Sequence, residues 1–524
     1  MKNKETTHEI LMDQVKEKRE KASFGGGKGR IEAQHAKGKK TARERIAALF
    51  DEGSFKEIGG MMTHRHSAFN MDKECTPGDG LVAGFGKING RRICAYALDF
   101  TVMGGSFGEV AGRKVSKVLD LAVQVGVPVI GLNDGGGARI QEGVYSLEAF
   151  GELFYRNVQA SGVIPQISVQ LGPCAGGAVY SPALTDFIIM TQRISHMFIT
   201  GPEVIKTVTG EEVDTETLGG AATHSTISGV AHLVGTTEEE TFALIRKLLE
   251  YLPDNNTESP RTIPPTDDPF RADKILDTIV PLEPSETYDM HKVISHVVDR
   301  DSFFEMHGNF AHNAIVGFAR MNGEVVGIVA NQPAAMAGVL DINASDKIAR
   351  HVRFCDAFNI PIITFVDTPG FMPGAVQEHG GIIRHGAKIV FAYSEATVPK
   401  ITVITRKGYG GAYIVMGSKH IHADLVYVWP TAEIAVMGAA GAVNILKGRE
   451  LKAMEDKEAA AQKRKELAAE YRDKFNSPYT SAGQGHVDDI ILPSETRQQL
   501  INALDLLRSK QGSSLPKKHS NMPL

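Results

Sequence analysis

Cysteine is scarce, with four in 524 residues: Cys75, Cys94, Cys174 and Cys355. No two form a CxxC, so neither a zinc ribbon nor a redox dithiol is indicated, and no metal is expected. The opening MKNKETTHEILMDQ has no apolar h-region, so no secretory leader is expected. No apolar run approaches the ~20 residues that span a bilayer. Positive charge is not in excess either. The chain has 57 basic and 62 acidic side chains, a net charge of −5, and its basic residues occur only in short clusters. Binding a phosphate backbone takes a concentrated positive face, which argues against nucleic acid as a partner. The expected compartment is the cytoplasm.

Familiar catalytic signatures are also missing. GGGKGR at 25–30 looks like a phosphate loop, but a Walker A loop needs GxxxxGK[ST], and Lys28 is followed by Gly29. The run reads as a flexible break. No segment has GxGxxG after a first strand with an acidic residue downstream, which argues against a dinucleotide site. His224 and His232 stand eight apart, with Ser225, Thr226 and Ser228 between them, and HExxH spacing is absent. Each reads first as a hydrogen-bonded wall residue and second as a catalytic base. No nucleophile has a base beside it, and spacing supports no carboxylate pair. The remaining chemistry is electrostatic and positional.

Glycine, by contrast, is abundant at 54 residues and clusters at strand ends. Much of it lies in a stretch that occurs twice. The first copy reads VGVPVIGLNDGGGARIQEG at 125–143, then GVIPQISVQLGPCAGGAVYSPALTDFIIM at 162–190. The second reads FNIPIITFVDTPGFMPGAVQEHG at 358–380, then ATVPKITVITRKGYGGAYIVMGSKHIHADLVYVWP at 396–430. Pro128 and Pro361, like Asp134 and Asp367, are 233 apart, and Gly177 and Gly411 are 234 apart. That period is too long for a solenoid and fits two domains of one plan. DNNTESPRTIPPTDDPFRADK at 254–274 is the clearest boundary. The expected division is an N-terminal domain over 1–260, a linker over 261–283 and a C-terminal domain over 284–524.

Each copy predicts the same units. Two strands turn at Asn89-Gly90 or Asn322-Gly323. A helix follows, then a short apolar strand of the kind buried on both faces in layered α/β packing. A D-x-(x)-S-F motif precedes both hairpins, at Asp51–Phe55 and at Asp301–Phe303. In the N-terminal arm, HEILMDQVKEKREKA reads as a helix. Thr41 and Glu44 predict a capping box for the helix TARERIAALF. Lys37, Lys39, Lys40, Arg43 and Arg45 make a short basic cluster there. It is either one face of a surface helix or a docking surface for an anionic ligand. The charged run at 447–475 reads as a solvated hairpin or interface helix, and the tail from Gly512 as extended against a neighbour or loose.

The chemistry should sit in the glycine loops. DGGGARIQEG follows one buried strand, and Gly176-Gly177 start a helix after the next. Glycine allows positive φ and lets backbone N–H groups point into a site. A helix start adds unpaired N–H groups and the positive end of the dipole. Two such loops at neighbouring strand ends suit an oxyanion hole. The second copy replaces GGGARIQ with TPGFMPG and places Gly410, Gly411 and Ala412 at a helix start. Two such sites suggest a reaction between two carbonyl compounds.

With GKKTARERI, DFTVMGGSFGE, DGGGARIQEG, MFITGPEVIKTVTGEE, FVDTPGFMPG, RKGYGGAY and VWPTAEIAVMGAAGAVNI, the chain resembles a known family over nearly its whole length. This is the carboxyltransferase subunit of biotin-dependent acyl-CoA carboxylases and decarboxylases. The nearest branch groups propionyl-CoA carboxylase beta, methylmalonyl-CoA decarboxylase alpha and the transcarboxylase carboxyltransferase. The resemblance implies an α/β fold of two tandem crotonase-like ββα-spiral domains, assembled as a hexamer (a trimer of dimers). It implies that Ala138 and Gly177 donate to the acyl-CoA thioester oxygen, with Gly137 and Gly176 shaping the loops. Phe371 and Ala412 would donate to the ureido oxygen of biotin, with Gly411 beside them. Gly370, Gly410 and Tyr413 would line the biotin side, and Lys37, Lys40 and Arg43 would help hold CoA phosphates. The implied reaction moves a carboxyl group between carboxybiotin and the α-carbon of a short-chain acyl-CoA, propionyl-CoA or methylmalonyl-CoA first. Acetyl-CoA carboxylation and decarboxylation in a sodium-pump complex are the alternatives.

No biotin-attachment Met-Lys-Met occurs, so biotin is expected on a separate protein. The implied partners are a biotin carboxyl carrier protein, a biotin carboxylase subunit or membrane decarboxylase subunits. The last would place the chain at a membrane only through its partners. The zinc-ribbon cysteines of the bacterial two-subunit acetyl-CoA carboxylase beta chain are absent, which disfavours that branch. A crotonase-type hydratase or hydrolase would not need the second pair of donors, and a scaffold would need neither.

Overall fold

The computed structural model describes residues 7–73, 75–283, 286–512 and 515–524. Pro284 and Ser285, at the expected start of the C-terminal domain, lie outside them. The chain divides into two compact units, Met1–Glu258 and Ser259–Leu524.

In the first unit the strands are β1 (Lys56–Glu57), β2 (Leu81–Ile88), β3 (Arg91–Leu98), β4 (Val129–Gly135), β5 (Gln166–Ala175), β6 (Phe187–Thr191), β7 (His196–Phe198) and β8 (Leu233–Gly235). They form one sheet in the order β1-β2-β3-β4-β5-β6-β8, with β7 also pairing β5. β2 and β3 are antiparallel, and β3 to β6 run parallel. The hairpin turns at Asn89 and Gly90, with φ of 50° and 77°. Both turn N–H groups donate to the Asp51 carboxylate, at 2.9 Å each.

The parallel strands require crossovers, and the helices Glu109–Val125 and Val144–Ala160 supply them. The first buries Val110, Val115, Val118, Leu119 and Ala122 on one face, at helical spacing. It ends on Gly126 in the left-handed region. Each fully buried valine or leucine contributes roughly 1.5–3 kcal/mol. The two helices touch where a Cβ on Gly112 would stand 2.5 Å from that of Ala149. β4 is buried along its whole length, which is why its first part, VIGL, is apolar without alternation.

The second unit repeats the plan with β9 (Phe304–Met306), β10 (Ala314–Met321), β11 (Glu324–Asn331), β12 (Ile362–Thr368), β13 (Lys400–Tyr409), β14 (Leu425–Val428), β15 (Glu433–Ala435) and β16 (Asp489–Ile490). Their order is β16-β14-β13-β12-β11-β10-β9, with β15 on β13. The Asn322-Gly323 turn donates to Asp299, at 3.0 and 2.8 Å. The counterpart of Asp51 is therefore Asp299, and aligning it with Asp301 is two residues out. DEGSF matches DRDSF position for position. Residues 261–283 are tied within this unit. Ile263 N donates to Gly323 O, and Arg271 reaches His296 O and Val298 O.

One local expectation needs correction. The glycine run at 25–27 is not a flexible break. Gly26 N donates to Thr101 Oγ at 3.0 Å, and a Cβ there would lie 1.8 Å from Thr101 O. Glycine serves here for close backbone approach. Of the two readings of the tail, the one that lays it against a neighbouring element holds: Lys517 and Ser520 both bond Glu395, the last residue of the helix Ile382–Glu395. The charged run forms a helical hairpin of Ala439–Lys452 and Lys457–Tyr471. Among the described residues no helix is long and apolar enough to cross a membrane.

Candidate active site

In both units the parallel strands release two loops side by side. After β4 comes Gly136–Arg139, and after β5 comes the turn Gly176–Val179. Gly137 has φ of 98°, and a Cβ on it would stand 2.9 Å from Ala175 O. Only glycine fits where the loops touch.

The segment around Ala138 is clamped as a one-residue β-bridge. Phe107 N donates to Gly137 O at 2.8 Å, and Arg139 N donates to Phe107 O at 3.0 Å. Since adjacent residues on a strand face opposite ways, the N–H of Ala138 points away from the clamp. Among the described residues nothing accepts from it. The second unit repeats this with Gly370 in the place of Gly137, while Thr368 and Pro369 replace the two preceding glycines. Leu340 N donates to Gly370 O at 3.0 Å, and Met372 N donates to Leu340 O at 2.8 Å. Phe371 thus stands where Ala138 does, with its N–H equally unpaired among the described residues. Its ring lies against Gly386, where a Cβ would be 2.9 Å away, and near Gly411 at 4.0 Å.

The other expected donors lie in the first turns of short helical segments. Gly177 is the second residue of Gly176–Val179, and Ala412 is the third of Gly410–Val415. N–H groups there have no intrahelical acceptor. Gly176 and Gly410 take φ of 66° and 59°, and Gly370 takes 143°. Tyr413 is buried beside Ala412, with its hydroxyl 3.3 Å from His420 Nε2. Burial pushes that phenol up to about 12, so it stays protonated.

Arg139 escaped the sequence reading. It is fully buried. One terminal nitrogen donates to both Asp79 oxygens, at 2.7 and 2.9 Å, and to Glu142 Oε1 at 2.9 Å. The other donates to Ser106 O at 3.0 Å. These bonds pin the residue next to Ala138. Apart from Glu142, three residues on, its partners lie far off in sequence at Asp79 and Ser106, so local pattern does not reveal the cluster.

The basic cluster divides. Lys39 and Arg45 are buried in ion pairs. Arg43 pairs with Glu57 at 2.8 Å and Lys40 with Glu239. Lys37 is exposed and lines a cavity of about 280 Å³ with Arg30, Gln34, Phe100, Met103 and Gly104. Gly104 O accepts from Gly136 N at 3.0 Å, so this cavity adjoins the first donor loop. Of the cluster, Lys37 is the cation placed beside a space.

Among the described residues no side-chain base stands on either pair of loops. His224 is engaged by Ser228 Oγ at 2.8 Å and Met197 O at 2.7 Å. His232 Nδ1 accepts from Ile188 N at 3.1 Å. Burial pushes the Cys174 thiol up to about 12, which removes it as a nucleophile. Among the described residues no cluster could hold a metal ion. The arrangement offers backbone donors in a shaped surface, suited to stabilising developing negative charge on oxygen.

Known proteins share this architecture. The family model for the carboxyl transferase domain matches residues 33–522. The carboxyltransferase subunit of propionyl-CoA carboxylase from Haloferax mediterranei is 58% identical over 518 residues, covering 99% of this chain and 100% of that one. Methylmalonyl-CoA decarboxylase subunit alpha from Veillonella parvula is 54% identical over 508 residues, covering 97% and 98%. A solved structure of transcarboxylase 12S, described as a hexamer with methylmalonyl-coenzyme A and methylmalonic acid bound, matches with a TM-score of 0.95. It is 50% identical, with 99% of this chain and 100% of that chain covered.

Proposed function

The chain belongs to the carboxyl transferase domain family, and on that premise we propose that it moves a carboxyl group between biotin and the α-carbon of a short-chain acyl-CoA. Propionyl-CoA and methylmalonyl-CoA are the favoured pair, since relatives matched over their full length carry those names. Bound biotin supplies the carboxyl group and, once it has given that group up, the base for the α-proton.

The residues of the chain do the rest. The N–H groups of Ala138 and Gly177 hold the thioester oxygen and stabilise the enolate that forms when the α-proton leaves. The N–H groups of Phe371 and Ala412 hold the ureido oxygen. Neutral, fixed donors fit an anionic oxygen and need no reorganisation during the reaction. Lys37 and the cavity beside Gly104 take the CoA end, with Gly137 and Gly176 shaping the loops through their positive φ. Lys40 and Arg43 act there indirectly, since both are already paired with glutamates. Biotin arrives on a separate polypeptide, and the working assembly is a hexamer. A cytoplasmic setting fits this role.

The observation that carries the reading is the repeated clamp, which leaves Ala138 and Phe371 as the same kind of donor in two units. Its test is Ala412→Pro, which removes one N–H from the biotin side. Proline is tolerated in a first helical turn. Decarboxylation of methylmalonyl-CoA with free biotin should fall by about 10²–10³, with CoA binding spared. Unchanged turnover would sink the assignment.

A further inference from the structure

Two buried acids stand at one structural position. Asp134 and Asp367 both have 0% exposure. Each sits where two parallel strands lose register, between Asn133 and Gly135 on β4 and between Val366 and Thr368 on β12. Past that point the strands part into the two donor loops. Each aspartate lies four residues before the first donor, Ala138 or Phe371. Each carboxylate also reaches across to the strand that leads to the second donor. Asp134 Oδ1 lies 1.8 Å from where a Cβ on Gly172 would be. Asp367 Oδ1 accepts from Lys407 N at 3.1 Å.

The counter-charge comes from different places. In the second unit Arg406 Nε donates to Asp367 Oδ2 at 2.9 Å. The residue aligned with Arg406 in the first unit is Gly172, 234 positions earlier. There the missing side chain leaves room for cations from the N-terminal arm. Lys39 Nζ donates to Asp134 Oδ1 at 2.6 Å, and Arg45 and Gln34 donate to Oδ2 at 2.7 and 2.9 Å. Arg45 also donates to Leu171 O at 2.9 Å, on the same strand. The acid is kept at the fork in both units, while its cation is supplied by unrelated residues. Replacing a buried ion pair by apolar packing is often neutral or stabilising, so stability alone does not account for the repetition.

We infer that Asp134 and Asp367 are positioning residues that set the spacing between the two donor loops of each unit. The inference rests on the reading that Ala138 with Gly177, and Phe371 with Ala412, bind the reacting oxygens. A shift of about 1 Å in such donors costs about 10² in rate. A loosened fork therefore lowers kcat while leaving CoA contacts, and so the KM for acyl-CoA, nearly unchanged.

The test uses the full chain in its native assembly, with methylmalonyl-CoA and free biotin as substrates. Asp367→Asn and Asp134→Asn keep the shape and remove the charge. Each should lower kcat by about 10–100-fold with less than a threefold change in KM for methylmalonyl-CoA. Arg406→Met should match Asp367→Asn, and the pair combined should fall no further than either alone. Should an asparagine variant fail to fold, Lys39→Gln decides for the first unit, since Arg45 and Gln34 still hold Asp134. Arg406→Lys decides for the second. Both should lose several-fold in kcat with unchanged near-UV circular dichroism. Folded variants with kcat within twofold of the parent would overturn the inference. The Ala412→Pro result keeps the two ideas apart. If it is inactive while the fork variants are not impaired, the positioning role alone falls. If it retains turnover, the donor reading falls.

Discussion

At the scale of single residues, burial decides what a repeated side chain is worth. Asp51 and Asp299 cap the same Asn-Gly turn with the same two bonds. Asp51 does so at a partly exposed hairpin. Asp299 has 2% exposure and also accepts from Arg497 at 2.6 Å, and Arg497 is itself buried. Removing one partner of a buried pair strands the other charge. Asp299→Ala should therefore cost roughly 3–5 kcal/mol and Asp51→Ala about 1 kcal/mol, read by urea unfolding. Equal losses would show that the turn bonds alone matter. Arg139 makes the same point within the site. Its bonds to Asp79, Glu142 and Ser106 hold the loop that presents Ala138, yet in sequence it is one charged residue after three glycines and an alanine.

At the scale of elements, the end of the helix Ile382–Glu395 is tied to the C-terminal tail. Burial would raise the Glu395 pKa, but hydrogen bonds from Lys517, Ser520 and Arg353 outweigh it and bring it down to about 2, from an ordinary 4.5. A carboxyl group with a depressed folded pKa stabilises the folded state above its unfolded pKa. It loses that contribution as pH falls through the folded value. The tie should be intact above about pH 4.5 and lost toward about pH 2. Pepsin cleavage within residues 515–524, followed across that window, checks it. Glu395→Gln should expose the tail already at pH 4.5, and a tail cut equally at every pH would refute the tie. The other end of this helix bears on function, because Gly386 meets the Phe371 ring. A tail of ordinary polar composition gives no sign of such an anchor, since the contact spans more than a hundred residues.

At the scale of the molecule, each unit is the same sheet with the same fork, and the proposed transfer needs biotin from outside. Because the sequence holds no Met-Lys-Met triplet, purification of the native chain should bring down a separate polypeptide detected by streptavidin. Biotin attached to this chain itself would contradict the proposal.

Local pattern was enough for much of this. The hairpin turns at Asn89-Gly90 and Asn322-Gly323, the capping box at Thr41, the buried strands and the duplication follow from short-range chemistry or from comparing the chain with itself. So did the glycine at 137, where positive φ coincides with a close approach to the Ala175 carbonyl. What local pattern could not reach was the pairing of charges. Lys37, Lys39, Lys40, Arg43 and Arg45 look alike in sequence. The fold buries Lys39 and Arg45 on Asp134, pairs Lys40 and Arg43 with glutamates, and leaves Lys37 beside a cavity. Likewise the N–H of Phe371 became comparable to that of Ala138 only through the bridges to Leu340 and Phe107. The sequence by itself determined the strands, the turns and the two-fold plan, since those depend on residues near one another. Only the tertiary structure decided which N–H groups stay unpaired and which charges are consumed, since both depend on partners brought together across the chain.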